Sequence, residues 1–448
     1  MNDLQLVGAA LAGLALLLFL IVRAKLHAFV ALLIGSLVIG IGAGMPFAAV
    51  LESVTNGIGS TLASIAALVG LGAMFGRMLE ISGGAERLAD ALIARRDTDG
   101  SQWSLLAVGL LVAIPVFFDV AFIVLVSVVY GLTRRSGRPI VYYALPLLAG
   151  LAVGHAFIPP TPGPIAVAAV LDADLGWVVL LGLLIGVPSA IVAGPIYARL
   201  IASKVPAPVP EYMQVEHARP TKALPGTGIV VGLIAAPLIL IVGNTVSGVL
   251  LPEDSELRAL LAGVGHPLVA LLITTLLSFR LLGTRAGYTR AEIQEIAARA
   301  IEPAGMVILV TAAGGVLKQV LVDSGVGGVL AEGLLSTGMP PLVTAFAIAA
   351  AVRVMQGSAT VAMLTAAGLV AALFEGAEHS APYLALAVIA IAAGATTTSH
   401  VNDSGFWLVN RYLGLSMQDT LRTWTVTTTL IAFLSILLVL LAAALFGY

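Results

Sequence analysis

Val112-Ala113-Ile114-Pro115-Val116-Phe117-Phe118-Asp119-Val120-Ala121-Phe122 lies midway along an apolar stretch, 103–131, whose two ends carry the same sign of charge. Pro115 lacks an amide hydrogen and interrupts any helix that runs through it. Asp119 is the only ionisable residue between Trp103 and Tyr130. On one flank stand Arg87, Arg95 and Arg96, on the other Arg134, Arg135 and Arg138. Short basic loops stay on the cytoplasmic side of a membrane, so both ends of the stretch belong on that side. The sequence therefore predicts a re-entrant hairpin with its tip inside the bilayer.

A membrane reading follows from composition as well. The chain has 448 residues, 59% of them hydrophobic and 10% charged, whereas a soluble domain carries about 25% charged residues on its wetted surface. The 48 glycines suit closely packed membrane helices. A net charge of -2 gives no reason to expect a nucleic-acid partner, and the absence of cysteine excludes disulfides, iron–sulfur clusters and thiol nucleophiles. Segment 4–22 follows Asp3 rather than basic residues and reads as a retained span, not a signal peptide.

Apolar runs near the ~20 residues a crossing needs predict ten full spans: 4–22, 28–45, 57–79, 140–171, 175–201, 226–250, 259–282, 303–322, 381–411 and 423–447. Counting outward from the hairpin sorts the charges. Arg23 and Lys25, linker 202–225 with Lys204, Arg219 and Lys222, and Arg280, Arg285, Arg290 and Arg299 fall inside. Glu52, Asp172, Asp174, Glu253 to Glu256, Glu375 and Glu378 fall outside. Of the 22 basic residues, only Arg258, Lys318 and Arg353 escape the inside loops. Stretch 341–374 then has both flanks outside, which makes it a mirror hairpin.

The halves also share a pattern. Gly72-x4-Arg77-x-Leu79-x2-Ser82-Gly83-x4-Leu88-Ala89-x2-Leu92 returns as Gly314-x4-Gln319-x-Leu321-x2-Ser324-Gly325-x4-Leu330-Ala331-x2-Leu334. Spans 57–79 and 303–322 run in opposite senses, so the expected architecture is an all-α bundle of two inverted repeats, common among secondary transporters. The N-terminal half is 1–201, the cytoplasmic linker 202–225, and the C-terminal half 226–448. Each half holds a hairpin (103–131 or 341–374) and a broken span (140–171 or 381–411).

Costly polar groups sit at membrane depth in four places. A carboxylate at the bilayer centre costs about 2.5–3.5 kcal/mol, so Asp119 in the first hairpin is expected to serve an ion or substrate. The second hairpin reads Arg353-Val354-Met355-Gln356-Gly357-Ser358-Ala359-Thr360, an amide and two hydroxyls around a glycine turn. Helix starts beside such a turn offer free amides to an anion. Arg353 has three open readings: substrate counter-ion, a side chain snorkelling to the outer interface, or partner of a scaffold carboxylate. His155-Ala156-Phe157-Ile158-Pro159-Pro160-Thr161-Pro162-Gly163-Pro164 cannot continue a helix. Thr396-Thr397-Thr398-Ser399-His400-Val401-Asn402-Asp403-Ser404-Gly405 is polar throughout most of its length within an apolar span. His155 and His400 stand at matching places, as either functional groups or hydrogen-bonded core histidines.

With these residues laid out, the chain resembles the gluconate permease family, the gluconate:proton symporters of the wider ion-transporter superfamily. The likeness spans nearly the whole length and rests most on Phe117-Phe118-Asp119, His155 to Pro164, Gln356 to Thr360 and Ser399 to Gly405. It implies a multi-pass inner-membrane proton symporter for gluconate or a related sugar acid or hydroxy acid. It also implies an elevator-type movement and a scaffold that forms a homodimer. Relatives carry other small acids too, D-serine among them, and glycerate is a further alternative. The Ser-Asn-Thr hairpin signature of the superfamily's dicarboxylate carriers is missing, so sodium sites are not carried over.

The expected substrate-binding residues are Thr161, Gln356, Gly357, Ser358, Thr360, Asn402 and Ser404. Asp119, His155, His400 and Asp403 are expected to handle a coupling proton. No cofactor or metal is expected, and no Walker A, HExxH or GxSxG pattern occurs. Two rivals of other classes remain: a membrane enzyme for lipid-linked substrates, which would cluster its charges at an interface, and a channel, which has no need of paired hairpins and breaks.

Overall fold

Where the sequence breaks a helix, so does the backbone. The computed structural model describes residues 3–93, 100–205, 207, 224–326, 329, 338–374, 379–401 and 403–448. Asn402, Arg95, Arg96, Glu375, Glu378, most of linker 202–225, and Leu330, Ala331 and Leu334 lie outside the described residues. The described chain is all-helical. In order, its main helices are α1 (Asp3–Val22), α2 (Ala28–Gly42), α3 (Phe47–Ile81), α4 (Gly84–Ile93), α5 (Gly100–Ala113), α6 (Phe118–Ser136), α7 (Ile140–Phe157), α8 (Pro162–Leu171) and α9 (Leu175–Ile191). The second half adds α10 (Thr227–Leu250), α11 (Glu256–Val264), α12 (Pro267–Ser278), α13 (Arg290–Asp323), α14 (Pro341–Gln356), α15 (Ala359–Val370), α16 (Ala381–Thr396), α17 (Ser404–Leu413) and α18 (Val426–Phe446).

The first hairpin turns through Ile114 to Phe117, with Phe117 extended (φ -60°, ψ 143°) ahead of α6. The second turns on Gly357, whose φ of 90° is left-handed backbone that a side chain would strain. Ser358 then starts α15 by accepting from the Val361 amide at 3.4 Å. With 14, 16, 12 and 16 residues, α5, α14, α15 and α16 are each roughly 18–24 Å long. That is short of a ~30 Å hydrocarbon core, as half-crossing arms and broken spans require.

Of the ten expected spans, 4–22 forms the 20-residue α1. Among the described residues, six helical segments are long and apolar enough to cross, or seven if α3 counts as one span despite its 42° bend. Run 28–45 forms only the 15-residue α2. Run 259–282 is interrupted at Gly265 and His266, between α11 and α12. Runs 57–79 and 303–322 belong to helices of 35 and 34 residues, since their polar flanks stay helical and lengthen them beyond the apolar core.

Packing gives the halves a shared plan. Helix α5 lies along α7, and α14 lies along α16 in the same way. Both contacts need glycine. A Cβ on Gly150 would come within 2.3 Å of the Leu106 carbonyl oxygen, and one on Gly394 within 2.2 Å of the Phe346 carbonyl oxygen. Helices α3 and α13 pack lengthwise on each other, and α2 covers α13. The apolar helices α7 and α16 are buried along nearly their whole length and form the centre of the main core.

Candidate functional site

The helix breaks bring their polar groups to one cavity of about 190 Å³. Three helix starts reach its wall: α6 at Phe118 and Asp119, α15 at Ala359 and Thr360, and α17 at Ser404 and Gly405. The first amides of a helix have no intrahelical partner and carry partial positive charge. Ser358, Thr360 and Ser404 add hydroxyls, and Ser358 and Ser404 are solvent-exposed. Phe117, Phe118, Ala152, Ala156 and Trp424 supply the apolar part of the wall.

One face is held by a dense polar network. Arg353 is 4% exposed and its Nη2 donates to Asp403 Oδ2 at 2.5 Å. The Ser399 hydroxyl donates to the same carboxylate oxygen, and the Gly405 amide donates to Asp403 Oδ1 at 3.0 Å. Ser399 in turn accepts from Trp424 Nε1 at 2.7 Å, while its amide donates to Thr428 Oγ1 at 3.1 Å. Thr425 donates to the Ser399 carbonyl. Phe118 stacks on Trp424 with ring centroids 5.4 Å apart, so this network also touches the first hairpin.

Of the residues expected from sequence, Asp119, His155, Ser358, Thr360, Asp403 and Ser404 line the cavity together. Asp119 is exposed to it and has no hydrogen-bond partner among the described residues. His155 Nδ1 is buried without a partner, and its ring lies 6.1 Å from that of Phe117. Three others lie off the wall. Thr161 is buried and donates to the Ile158 carbonyl at 2.6 Å, satisfying the break it belongs to. His400 Nε2 donates to the Val354 carbonyl at 3.1 Å, tying the second break to α14. Gly357 makes the second hairpin's turn. Gln356 ends α14 without a described side chain.

Arg353 is buried rather than snorkelling, and it pairs with a carboxylate, Asp403 of the second break. Ser399 belongs to the polar run at the second break but not to the expected site residues, and Trp424 and Thr428 lie outside the polar stretches that the sequence marks. A signal existed in Thr423-Trp424-Thr425-Val426-Thr427-Thr428-Thr429, a hydroxyl-rich run opening an apolar span. It includes a π-helical turn, Leu421–Thr425, of a kind frequent at functional sites. Among the described residues no three His, Asp or Glu side chains are grouped to hold a metal.

Half-crossing hairpins and a polar cavity inside an apolar bundle define a polytopic membrane permease. Residues 4–445 match the model of the GntP family permease, and the chain belongs to that family. It is 39% identical over 431 residues to the low-affinity gluconate transporter of Escherichia coli (strain K12), covering 96% of each chain. It is 40% identical over 429 residues to the Gnt-II system L-idonate transporter of the same organism, covering 96% of this chain and 97% of the other. The inner membrane permease YgbN, also of Escherichia coli (strain K12), is 39% identical over 98% of both chains. Among solved structures the fold is similar to the Alcanivorax borkumensis YdaH transporter, with a TM-score of 0.61 over 88% of each chain at 14% identity. The chain is thus a multi-pass permease of the inner membrane, not an enzyme.

Proposed function

We propose that the chain is a secondary active transporter for proton-coupled uptake of gluconate or a closely related sugar acid or hydroxy acid. The observation that carries this reading is the meeting of three helix starts, three hydroxyls and an unpartnered carboxylate, Asp119, in one cavity. Helix starts favour an anion, and hydroxyls suit a polyol tail. Relatives named for gluconate and L-idonate transport support a polyhydroxylated acid as substrate.

Charge balance supports the proton. Arg353 and Asp403 cancel, so the empty cavity holds one net negative charge when Asp119 is ionised. A bound carboxylate would add a second, at a depth where uncompensated charge is expensive. One proton on Asp119 restores the starting charge, which ties uptake of the acid to uptake of the proton. The joint packing of α5 on α7 and α14 on α16, beside the α3–α13 pair, supports a hairpin-bearing body that moves against a scaffold. It also supports inverted halves 1–201 and 226–448.

Uptake of labelled gluconate into proteoliposomes tests the reading, with sodium absent and an inward proton gradient imposed. Accumulation that a protonophore collapses is expected. Accumulation that requires sodium would overturn proton coupling, and selective uptake of D-serine instead would overturn the sugar-acid assignment.

A further inference from the structure

We infer that Arg353 is the residue that recognises the substrate's carboxylate and that Asp403 positions it for the task. The inference rests on the anionic-substrate reading above and assigns that anion a partner. A guanidinium offers five N–H donors in a rigid planar fork. Asp403 takes one edge, through Nη2. Nε and Nη1 are buried and have no hydrogen-bond partner, although the side chain lines the cavity. Leaving donors of a buried charge unmade is costly. Nε and Nη1 point to different sides of the fork, but Nη1 and the second hydrogen of Nη2 form its open end, where a carboxylate can accept from two nitrogens at once.

Asp403 is used far more fully. Oδ2 accepts from Arg353 and Ser399, Oδ1 accepts from the Gly405 amide, and Ser399 is anchored by Trp424. The pair is therefore asymmetric: its anion accepts three hydrogen bonds from the protein, and its cation spends one of its five N–H donors. Asp403 fixes the guanidinium plane and reduces the cost of burying it, while Nε and Nη1 are left without an acceptor. The starts of α15 and α17 stand on the same wall, with hydroxyls for the rest of the substrate.

The test compares gluconate with D-glucitol, a neutral polyol of equal carbon number, binding to the full-length protein by calorimetry. Wild type should prefer the acid by roughly ten- to hundredfold, the range of hydrogen bonds to a charged group. Arg353→Gln alone strands Asp403, so the decisive variant is Arg353→Gln with Asp403→Asn, which removes both charges. It should bind acid and polyol about equally, with affinity for the polyol kept. A purely structural pair would weaken both ligands together or neither. Preference for the acid undiminished in the double variant would overturn the assignment. If that variant does not fold, Arg353→Lys decides. Keeping the charge but losing the fork should cut the preference by about fivefold or more, and an unchanged preference overturns the assignment. Wild type that binds neither gluconate nor L-idonate would instead overturn the functional reading, and this assignment with it.

Discussion

The two broken spans occupy equivalent places and are built from opposite chemistry. Between α7 and α8 the chain is broken by prolines, and Thr161 spends its hydroxyl on the Ile158 carbonyl within the same break. The Pro160 carbonyl packs close against Gly72 of α3. Between α16 and α17 the break is polar, and Ser399, Asp403 and Ser404 connect it to α14, to Trp424 and to the cavity. The matched histidines follow the same division with the sides exchanged: His155 reaches the cavity, and His400 clamps a carbonyl. A repeated pattern thus marks where backbones break, and the side chains decide which break does chemistry.

Removing one member of the ion pair attacks this comparison hardest. Asp403→Ala leaves Arg353 as an uncompensated buried charge, at a cost of about 3–5 kcal/mol. Thermal unfolding of the purified protein should fall steeply, and the neutral double variant should recover most of the loss. An unchanged unfolding temperature for Asp403→Ala would mean that the second break is not organised around the pair.

Asp119→Asn probes the other half. The first half contributes Asp119 and His155 to the cavity, and the second contributes Arg353, Ser358, Thr360, Asp403 and Ser404. On the proposed reading, proton handling would fall mainly to the first half and substrate contact mainly to the second. A neutral, near-isosteric amide at 119 should abolish accumulation driven by a proton gradient while counterflow exchange and substrate affinity persist. Full accumulation by Asp119→Asn would clear Asp119 of the coupling role.

Much of this was legible in the chain, because helix breaking is local chemistry. Pro115, the 159–164 prolines and Gly357 state where backbones must turn, and the basic flanks say that stretch 103–131 returns to its own side. Aim and partnership are not local. Composition does not tell whether Thr161 turns its hydroxyl to a cavity or, as it does, to the Ile158 carbonyl of its own break. Trp424 meets Ser399 across 25 positions of sequence, and Arg353 meets Asp403 across 50. Helix ends are hidden for a related reason: polar flanks such as Glu52 to Asn56 remain helical in α3, so helix length outruns hydropathy.

The smallest expected effect separates the two breaks most cleanly. Thr161 was expected from sequence to bind substrate, but its hydroxyl stays within its own break and the residue lies off the cavity wall. Thr161→Val keeps the shape and deletes the hydroxyl, leaving the Ile158 carbonyl with the Thr161 amide at 3.4 Å as its donor in the break, at a cost of about 1 kcal/mol. Unfolding temperature should drop slightly and affinity for the acid should stay at the wild-type value. Ser358→Ala is the counterpart on the cavity wall. It also removes the cap on the Val361 amide, but its hydroxyl is exposed to the cavity, and its loss should weaken binding by about tenfold. Calorimetry on the two variants reads the contrast directly. If Thr161→Val weakens binding as much as Ser358→Ala, both breaks contact substrate, and the division between a packed break and a chemical one fails.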